Sequence, residues 1–287
     1  MIIKAMIAAL LFQCAFASDV KILSWNVFML PKPLKSSRQK ERMVVIKDTL
    51  LAQDHDVLVL QESFSDLFRG TLYHGLLKKY PHQMVLGKST SIKKRMNSGV
   101  FILSKFPFKR LGYRYYTYCG KSDCFASKGV MLIEMALPGG KVVQIAGTHM
   151  QAGSSDSMKE VRVYQSEQIK ELLNEFARPG IPQILVGDLN MDALLEGEFN
   201  DALQRLDLRN DSLSEGSLRS SKSTQTSCFG KSNSTEASWL DHILVRDNES
   251  GLVQQDKRIF RLTGLVNGQY CDLSDHLPVS ATFSITH

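Results

Sequence analysis

Eight short runs of apolar, largely β-branched residues recur along the chain: VKILSWNV (20–27), DVLVLQES (56–63), SGVFILSKF (98–106), KGVMLIEMAL (128–137), KVVQIAGTH (141–149), PQILVGDLN (182–190), SWLDHILVR (238–246) and LPVSATFSI (277–285). Each reads as a strand buried largely on both faces. Such a sheet needs a covering layer on each side, and the intervening segments supply amphipathic helices. RQKERMVVIKDTLLAQ (38–53) places Met43, Ile46 and Leu50 on one face, and SMKEVRVYQSEQIKELLNEFA (157–177) does the same with Val161, Gln165, Ile169, Leu172 and Phe176. Pro138-Gly139-Gly140 falls between two runs as a hairpin turn joining antiparallel strands. The pattern predicts an α/β fold of two sheets packed face to face, with helices on the outer faces.

With 287 residues and 43% hydrophobic content, the chain can bury one large core, and residues 18–287 are read as one domain. Residues 1–17 read as a secretory signal: Lys4, the apolar run AMIAALLF, then Ala15-Phe16-Ala17 as a small-x-small cleavage site. The run is too short to span a bilayer, and no later segment approaches the length required. Gln13 stands where a lipoprotein box at Cys14 would have a small residue. Beyond the signal lie Cys119, Cys124, Cys228 and Cys271, an even set that in an exported chain argues for disulfides rather than a metal cluster. Closeness in sequence favours pairing Cys119 with Cys124, leaving Cys228 with Cys271, though four cysteines allow two other pairings. The segment from Asp211 to Ser238, rich in Ser, Thr, Asn and Gly, reads as a long loop. A formal charge of +6 favours anionic partners: nucleic acid, a phospholipid surface or phosphate esters.

Nearly every strand ends in a side chain able to meet a metal or a phosphate. These are Asn26, Gln61 with Glu62, His149, Asp188 with Asn190, Asp241, and Asp275 with His276. A buried carboxylate without a partner costs several kcal/mol, so this many endings point to one shared site, with metal ions as the natural partner. The donors are mostly oxygen: Glu62, Asp188, Asp275 and the amides of Asn26 and Asn190. Hard oxygen ligands suit Mg²⁺, Mn²⁺ or Ca²⁺ better than zinc. A histidine with a partner carboxylate would take the proton from an attacking water. His276 with Asp241 is the expected dyad; Asp275 is the competing partner, but adjacent residues rarely point the right way.

The motifs SWNV, LQES, GTHMQ, GDLN, SWLD and SDHLPV, in this order from Ser24 to Val279, resemble the endonuclease/exonuclease/phosphatase superfamily. That resemblance implies a four-layered sandwich of two packed mixed β-sheets flanked by helices (DNase I-like) and metal-dependent phosphoesterase chemistry on DNA, RNA, phosphoinositides or sphingomyelin. WNVFMLP (25–31), GTHMQAGSSDS (147–157) and DCFASKG (123–129) are similar to segments of the secreted neutral sphingomyelinases. This implies a secreted enzyme dependent on Mg²⁺, with Mn²⁺ or Co²⁺ substituting, that acts as a monomer on a sphingomyelin-containing phospholipid surface. In-line water attack would yield ceramide and phosphocholine. Glu62, Asn26 and Asp275 would hold metal, and His276 with Asp241 would be the general base. Asp188 and Asn190 would position the nucleophile or phosphoryl oxygens, His149 would stabilise the transition state, and Lys128 with Asp123 would engage substrate. The alternatives are an exported Mg²⁺-dependent endonuclease acting on nucleic acid and, third, a phosphoinositide phosphatase.

Two features complicate the likeness. Bacterial sphingomyelinases commonly carry an apolar hairpin with exposed aromatics, whereas residues 251–270 here are short and mixed and contain no Trp. Docking is therefore expected to lean on Lys257, Arg258 and Arg261. Tyr113, Tyr115, Tyr116 and Tyr118 could offer a ring to a quaternary ammonium, although their alternation also fits ordinary strand packing.

Overall fold

In the computed structural model, all eight expected runs form strands. The described residues are 18–30, 38–195, 197–216, 219–221 and 238–285. Residues 1–17, expected as a signal, most of the Asp211–Ser238 loop, and Cys228 lie outside them. In chain order the elements are β1 (Ser18–Asn26), α1 (Gln39–Ala52), β2 (Val57–Gln61), α2 (Asp66–Leu76), β3 (His82–Val85), β4 (Phe101–Ser104), β5 (Phe108–Tyr115), β6 (Gly129–Ala136), β7 (Val142–His149), α3 (Asp156–Phe176), β8 (Gln183–Asp188), α4 (Glu198–Leu206), β9 (Glu215–Gly216), β10 (Asp241–Arg246), β11 (Leu252–Ile259), β12 (Thr263–Val266), β13 (Gln269–Asp272) and β14 (Val279–Ile285). One sheet has the order β3-β4-β2-β1-β14-β11-β9 and the other β10-β8-β7-β6-β5. Both are mixed: β1–β2 and β7–β8 are parallel, while β1–β14 and β6–β7 are antiparallel. Pro138–Gly140 makes the β6–β7 turn, as expected.

Successive side chains of a strand point to opposite faces, and the layers follow from that. Val20 and Ile22 of β1 enter the core between the sheets with Val59, Ile133, Ile145, Ile184, Val186 and Phe283. Leu23 and Trp25 turn outward to meet Ile46 and Leu50 of α1 and Phe68 and Leu72 of α2. In the other sheet Leu132, Ala146, Leu185 and Leu244 face Ile169, Leu172 and Leu173 of α3 and Phe199 of α4. The result is the expected four-layered sandwich, with both faces of each sheet covered.

Two buried histidines, one in β10 and one in the α1–β2 connection, cannot easily charge. His242 of β10 lies between the rings of Phe199 and Trp239, with centroids at 4.4 and 5.6 Å, and its Nε2 is 3.0 Å from the Met191 carbonyl. Burial pushes its pKa down from 6.5 to about 3, and that of buried His55 to about 4. Above pH 6.5 the ring is neutral in both folded and unfolded chains. As pH falls below 6.5, the unfolded chain takes up protons that the folded rings resist, so stability is lost over that window. Each shift corresponds to a few kcal/mol on the scale of about 1.4 kcal/mol per pKa unit. Compared with His242→Gln, the wild-type urea midpoint is expected to lose ground as pH falls from 6.5 to 4, a difference that isolates His242 from Glu62 and Asp241, whose raised pKa values act in the opposite direction.

The region 251–270 differs from the expectation. It holds β11, inside the larger sheet, and the β12–β13 hairpin, where Leu265 stands opposite Tyr270, 61% and 68% exposed. Lys257 cannot serve as a docking residue. It is fully buried, and its Nζ donates to Asn210 Oδ1 (2.6 Å) and to the carbonyls of Ile243 (2.9 Å) and Asp211 (3.2 Å). Arg258 and Arg261 are exposed, beside Asp256 and Asp272 respectively. On α3 the buried face runs through Met158, Arg162, Gln165, Ile169 and Leu172, with Val161 and Phe176 at its margin.

Candidate active site

Strand register alone assembles half of the site. β7–β8 pairing sets His149 beside Asp188, and β8–β10 pairing sets Asp241 beside Asp188, so all three occupy one rung at the end of the smaller sheet. Gly187 makes this approach feasible, because a Cβ there would lie 2.0 Å from the Thr148 carbonyl oxygen. At the matching end of the larger sheet, Asn26 pairs with Gln61. Glu62 follows with φ 54°, in the left-handed region. The β13–β14 connection delivers Asp275 and His276. Trp25 Nε1 donates to the His276 carbonyl (3.0 Å) and Ser274 Oγ to the Asn26 carbonyl (2.5 Å), holding this connection to β1. Asn26 Nδ2 donates to Asp188 Oδ2 at 3.0 Å, a buried bond between the two sheets.

His276 Nδ1 lies 2.7 Å from Asp241 Oδ2, so the expected dyad is formed. Burial alone would discharge the ring, but Asp241, Asp188 and Asp275 outweigh it and hold the His276 pKa well above 6.5. Burial also pushes Asp241 upward. The pair therefore behaves as a unit in which the proton sits on the ring, stabilised by the carboxylate. Ser220, which the sequence reading missed, fixes Asp241: its Oγ donates to Asp241 Oδ2 (2.7 Å) and accepts the backbone N–H groups of Leu240 and Asp241 (3.0 Å each). The other ring nitrogen, Nε2, lies 3.8 Å from Asp188 Oδ2. Asp188 Oδ1 accepts the Asn190 N–H at 2.9 Å, and the Asn190 side chain donates to the Met150 carbonyl at 3.2 Å.

The Cys119–Cys124 disulfide is present, one of the two expected pairs. Cys271 is buried, and its expected partner Cys228 lies outside the described residues. Within this loop Asp123 Oδ2 accepts from Lys128 Nζ (2.7 Å) and from the Ala152 N–H (2.9 Å). Lys128 is only 5% exposed and also donates to the Met150 carbonyl (2.8 Å) and His149 Nε2 (3.1 Å). An ammonium can only donate, so Nε2 is an acceptor and the His149 ring is neutral. Burial first, then the charges of Lys128 and His276, push the His149 pKa down in agreement.

A cleft of about 930 Å³ runs over these groups, with Glu62, His149, Asp188, Asn190, Asp275 and His276 along its floor and Lys159, Leu194 and Leu195 among its walls. Asn26, Asp241 and Lys128 lie buried behind that lining. Gln61 does not take part: its side chain turns back to Ser24 Oγ and the Val59 carbonyl. The four tyrosines do not line the cleft; Tyr116 bonds Thr148 Oγ1, and Tyr118 stacks on Tyr164.

Two groupings could receive a cation. Asp188, Asp241 and His276 each bring a ligand atom within 4.8 Å of the others, although His276 Nδ1 is already bonded to Asp241. In the second, burial and the neighbouring charge of Asp275 push Glu62 up to about 7. Glu62 Oε2 is buried and has no hydrogen-bond partner among the described residues. An uncompensated buried oxygen next to a second carboxylate is what a hard divalent cation relieves. Beneath this pair, the buried guanidinium of Arg42 clamps the carbonyls of Val27, Phe28 and Leu273.

The model of the Endonuclease/Exonuclease/phosphatase family matches residues 23–276. Sphingomyelinase C 2 of Leptospira interrogans is 28% identical over 91% of the chain, which spans 45% of that protein's length. The crystal structure of sphingomyelinase C from Streptomyces griseocarneus superposes with a TM-score of 0.80 at 24% identity, covering 93% of this chain and 99% of that one. A mutant beta toxin from Staphylococcus aureus with bound magnesium ions gives a TM-score of 0.75 at 24% identity, covering 92% and 99%. With its family motif running through both sheets and every strand end that builds the cleft, the chain belongs to the endonuclease/exonuclease/phosphatase family.

Proposed function

We propose that residues 18–287 form an exported, monomeric, Mg²⁺-dependent phosphodiesterase that hydrolyses sphingomyelin to ceramide and phosphocholine. The observation that carries the hydrolase reading is the His276–Asp241 bond, with His276 on the floor of the cleft that also holds Glu62 and Asp275. The similarity to sphingomyelinases and the Asp123–Lys128 pair at the site support the lipid substrate. The Cys119–Cys124 disulfide suits an oxidising compartment.

Glu62, Asn26 and Asp275 would hold the cation, and the orphaned Glu62 oxygen is the feature that fits it. When bound, the cation supplies Lewis-acid withdrawal of charge from a phosphoryl oxygen. The remaining work falls to side chains. Asp241 fixes the His276 ring through Nδ1, so that Nε2 takes the proton from a water attacking phosphorus in line with the ceramide oxygen. Asp188, held by Asn26 and the Asn190 N–H, orients that water together with Asn190. His149, whose Nε2 holds the Lys128 ammonium, supports the transition state by keeping that positive charge beside the phosphoryl oxygens as negative charge builds up.

The deciding assay offers purified protein sphingomyelin vesicles and plasmid DNA side by side, with magnesium or chelator. Magnesium-dependent release of phosphocholine with intact plasmid is the expected result. The net charge of +6 favours the nuclease alternative, and rapid nicking of DNA with untouched sphingomyelin would replace the lipid reading. Lys128→Met is expected to lower sphingomyelin turnover roughly 10²-fold, as loss of an electrostatic stabiliser does. The control Lys78→Met, at an exposed position, should leave turnover unchanged. Equal effects of the two substitutions would remove Lys128 from the site.

A further inference from the structure

We propose that the loop of residues 87–97, together with Phe125, is the surface on which the protein docks to a phospholipid bilayer. The inference rests on the lipid reading above and adds where the protein meets its substrate. It begins from a charge asymmetry: Leu67 to Ser122 contains twelve Lys and Arg residues and no Asp or Glu, although the whole chain is only +6. Within that segment the loop GKSTSIKKRMN concentrates Lys88, Lys93, Lys94 and Arg95. None of the four is paired with a carboxylate within salt-bridge distance among the described residues. Between these cations Ile92 is 96% exposed, and Phe125 beside them is 48% exposed. A fully solvated isoleucine flanked by unpaired cations matches a bilayer surface, with phosphates for the cations and acyl boundary for the apolar side chain. A nucleic acid would use the charges and leave the isoleucine without a role.

The loop is built into the site's rim. The Arg95 and Met96 N–H groups donate to the Phe125 carbonyl at 2.8 and 3.0 Å, and the Arg95 guanidinium stands 5.9 Å from the Phe125 ring centroid. Ser127, next to Lys128, donates through its N–H to the Met96 and Asn97 carbonyls and through Oγ to Met96, while the Ser89 N–H donates to Ser127 Oγ. Asn97 Nδ2 donates to the Phe64 carbonyl, two residues beyond Glu62. Docking through Ile92 and Phe125 would therefore hold a lipid surface beside the Lys128 and Glu62 side of the cleft. The β12–β13 hairpin, with exposed Leu265 and Tyr270, is the competing surface.

The test uses the full chain in chelator with vesicles of phosphatidylcholine and phosphatidylserine lacking sphingomyelin, so that binding is read without turnover. The variant Ile92→Ser/Lys88→Gln/Lys93→Gln is expected to weaken vesicle binding by on the order of tenfold or more. It should hydrolyse a short-chain, monomeric sphingomyelin analogue at the wild-type rate, and lose rate on sphingomyelin vesicles in proportion to lost binding. Wild-type vesicle binding by this variant, loss of binding only in Leu265→Ser/Tyr270→Ser, or a variant that loses duplex DNA binding but not vesicle binding would each overturn the inference. Failure of the wild-type protein to cleave the monomeric analogue would instead remove the sphingomyelinase reading, so the two failures are separable.

Discussion

Replacing His276 with Ala is expected to lower kcat on sphingomyelin by roughly 10²–10⁴-fold, the range a positioned general base contributes, with KM nearly unchanged and thermal unfolding lowered, because buried Asp241 loses the ring that compensates its charge. The wild-type profile should lose activity on its acid side, because a protonated ring cannot accept the proton of water. Asp241, Asp188 and Asp275 push the His276 pKa up and set where that limb falls. In His276→Ala the limb should vanish along with most of the rate. Asp241→Asn provides the sharper check. It removes the carboxylate 2.7 Å from Nδ1, so the acid limb should move to lower pH while kcat drops, because the ring loses both its orientation and the charge that stabilises its protonated form. Asp275→Asn should leave that limb's dependence on Asp241 intact and act chiefly on the response to metal. Retained activity in His276→Ala, or a limb that follows Asp275 and ignores Asp241, would reassign the base.

How much was legible in the sequence depends on how far each signal travels along the chain. Two-faced burial is written locally, so Ile22 against Leu23 and Val186 against Leu185 could be read as strands covered on both sides. Once the strands were placed, their polar ends could be gathered, and the His276–Asp241 pair followed from chemical type. Cys119 and Cys124 were readable because five residues suffice to close the loop. Ser220 was not, because it lies in a serine-rich stretch where nothing separates the hydroxyl that bonds Asp241 from its neighbours. Arg42 hid within the apolar stripe of α1: it precedes Ile46 and Leu50 at four-residue spacing, and a charge there looks like a helix surface until the carbonyls it clamps are seen. Lys257 misled for the opposite reason. Its neighbours Asp256 and Arg258 are solvated, and only the packing of β11 beneath Trp239 and beside Ile243 decides that the residue between them is buried.

Magnesium is expected to stabilise the protein more as pH rises, and Glu62→Gln should abolish that trend together with at least about 10²-fold of the metal-dependent rate, the scale of losing one electrostatic stabiliser. Without metal, burial and then Asp275 raise the Glu62 pKa from 4.5 to about 7. A carboxyl raised in the folded state favours folding while protonated, and that contribution is lost as pH climbs from 4.5 through 7. The loss amounts to a few kcal/mol at most. In chelator at pH 8, Glu62→Gln should therefore unfold at a higher temperature than the wild type, because it removes an ionised oxygen that has no partner. A divalent cation reverses the sign: it binds the ionised form and competes with the proton, so its stabilising increment should be small near pH 5 and grow toward pH 8. Thermal unfolding of the wild type and Glu62→Gln at both pH values, with magnesium and with chelator, reads the four increments directly. If magnesium raised the unfolding temperature of the wild type and Glu62→Gln equally, Glu62 would not be a ligand. The Asp188–Asp241–His276 grouping, whose atoms lie within 4.8 Å of one another, would then be the place to look for the ion. If the chelated Glu62→Gln protein were less stable than the wild type at pH 8, the Glu62 carboxylate would have a partner even without metal, and the physical case for a cation between Glu62 and Asp275 would fail.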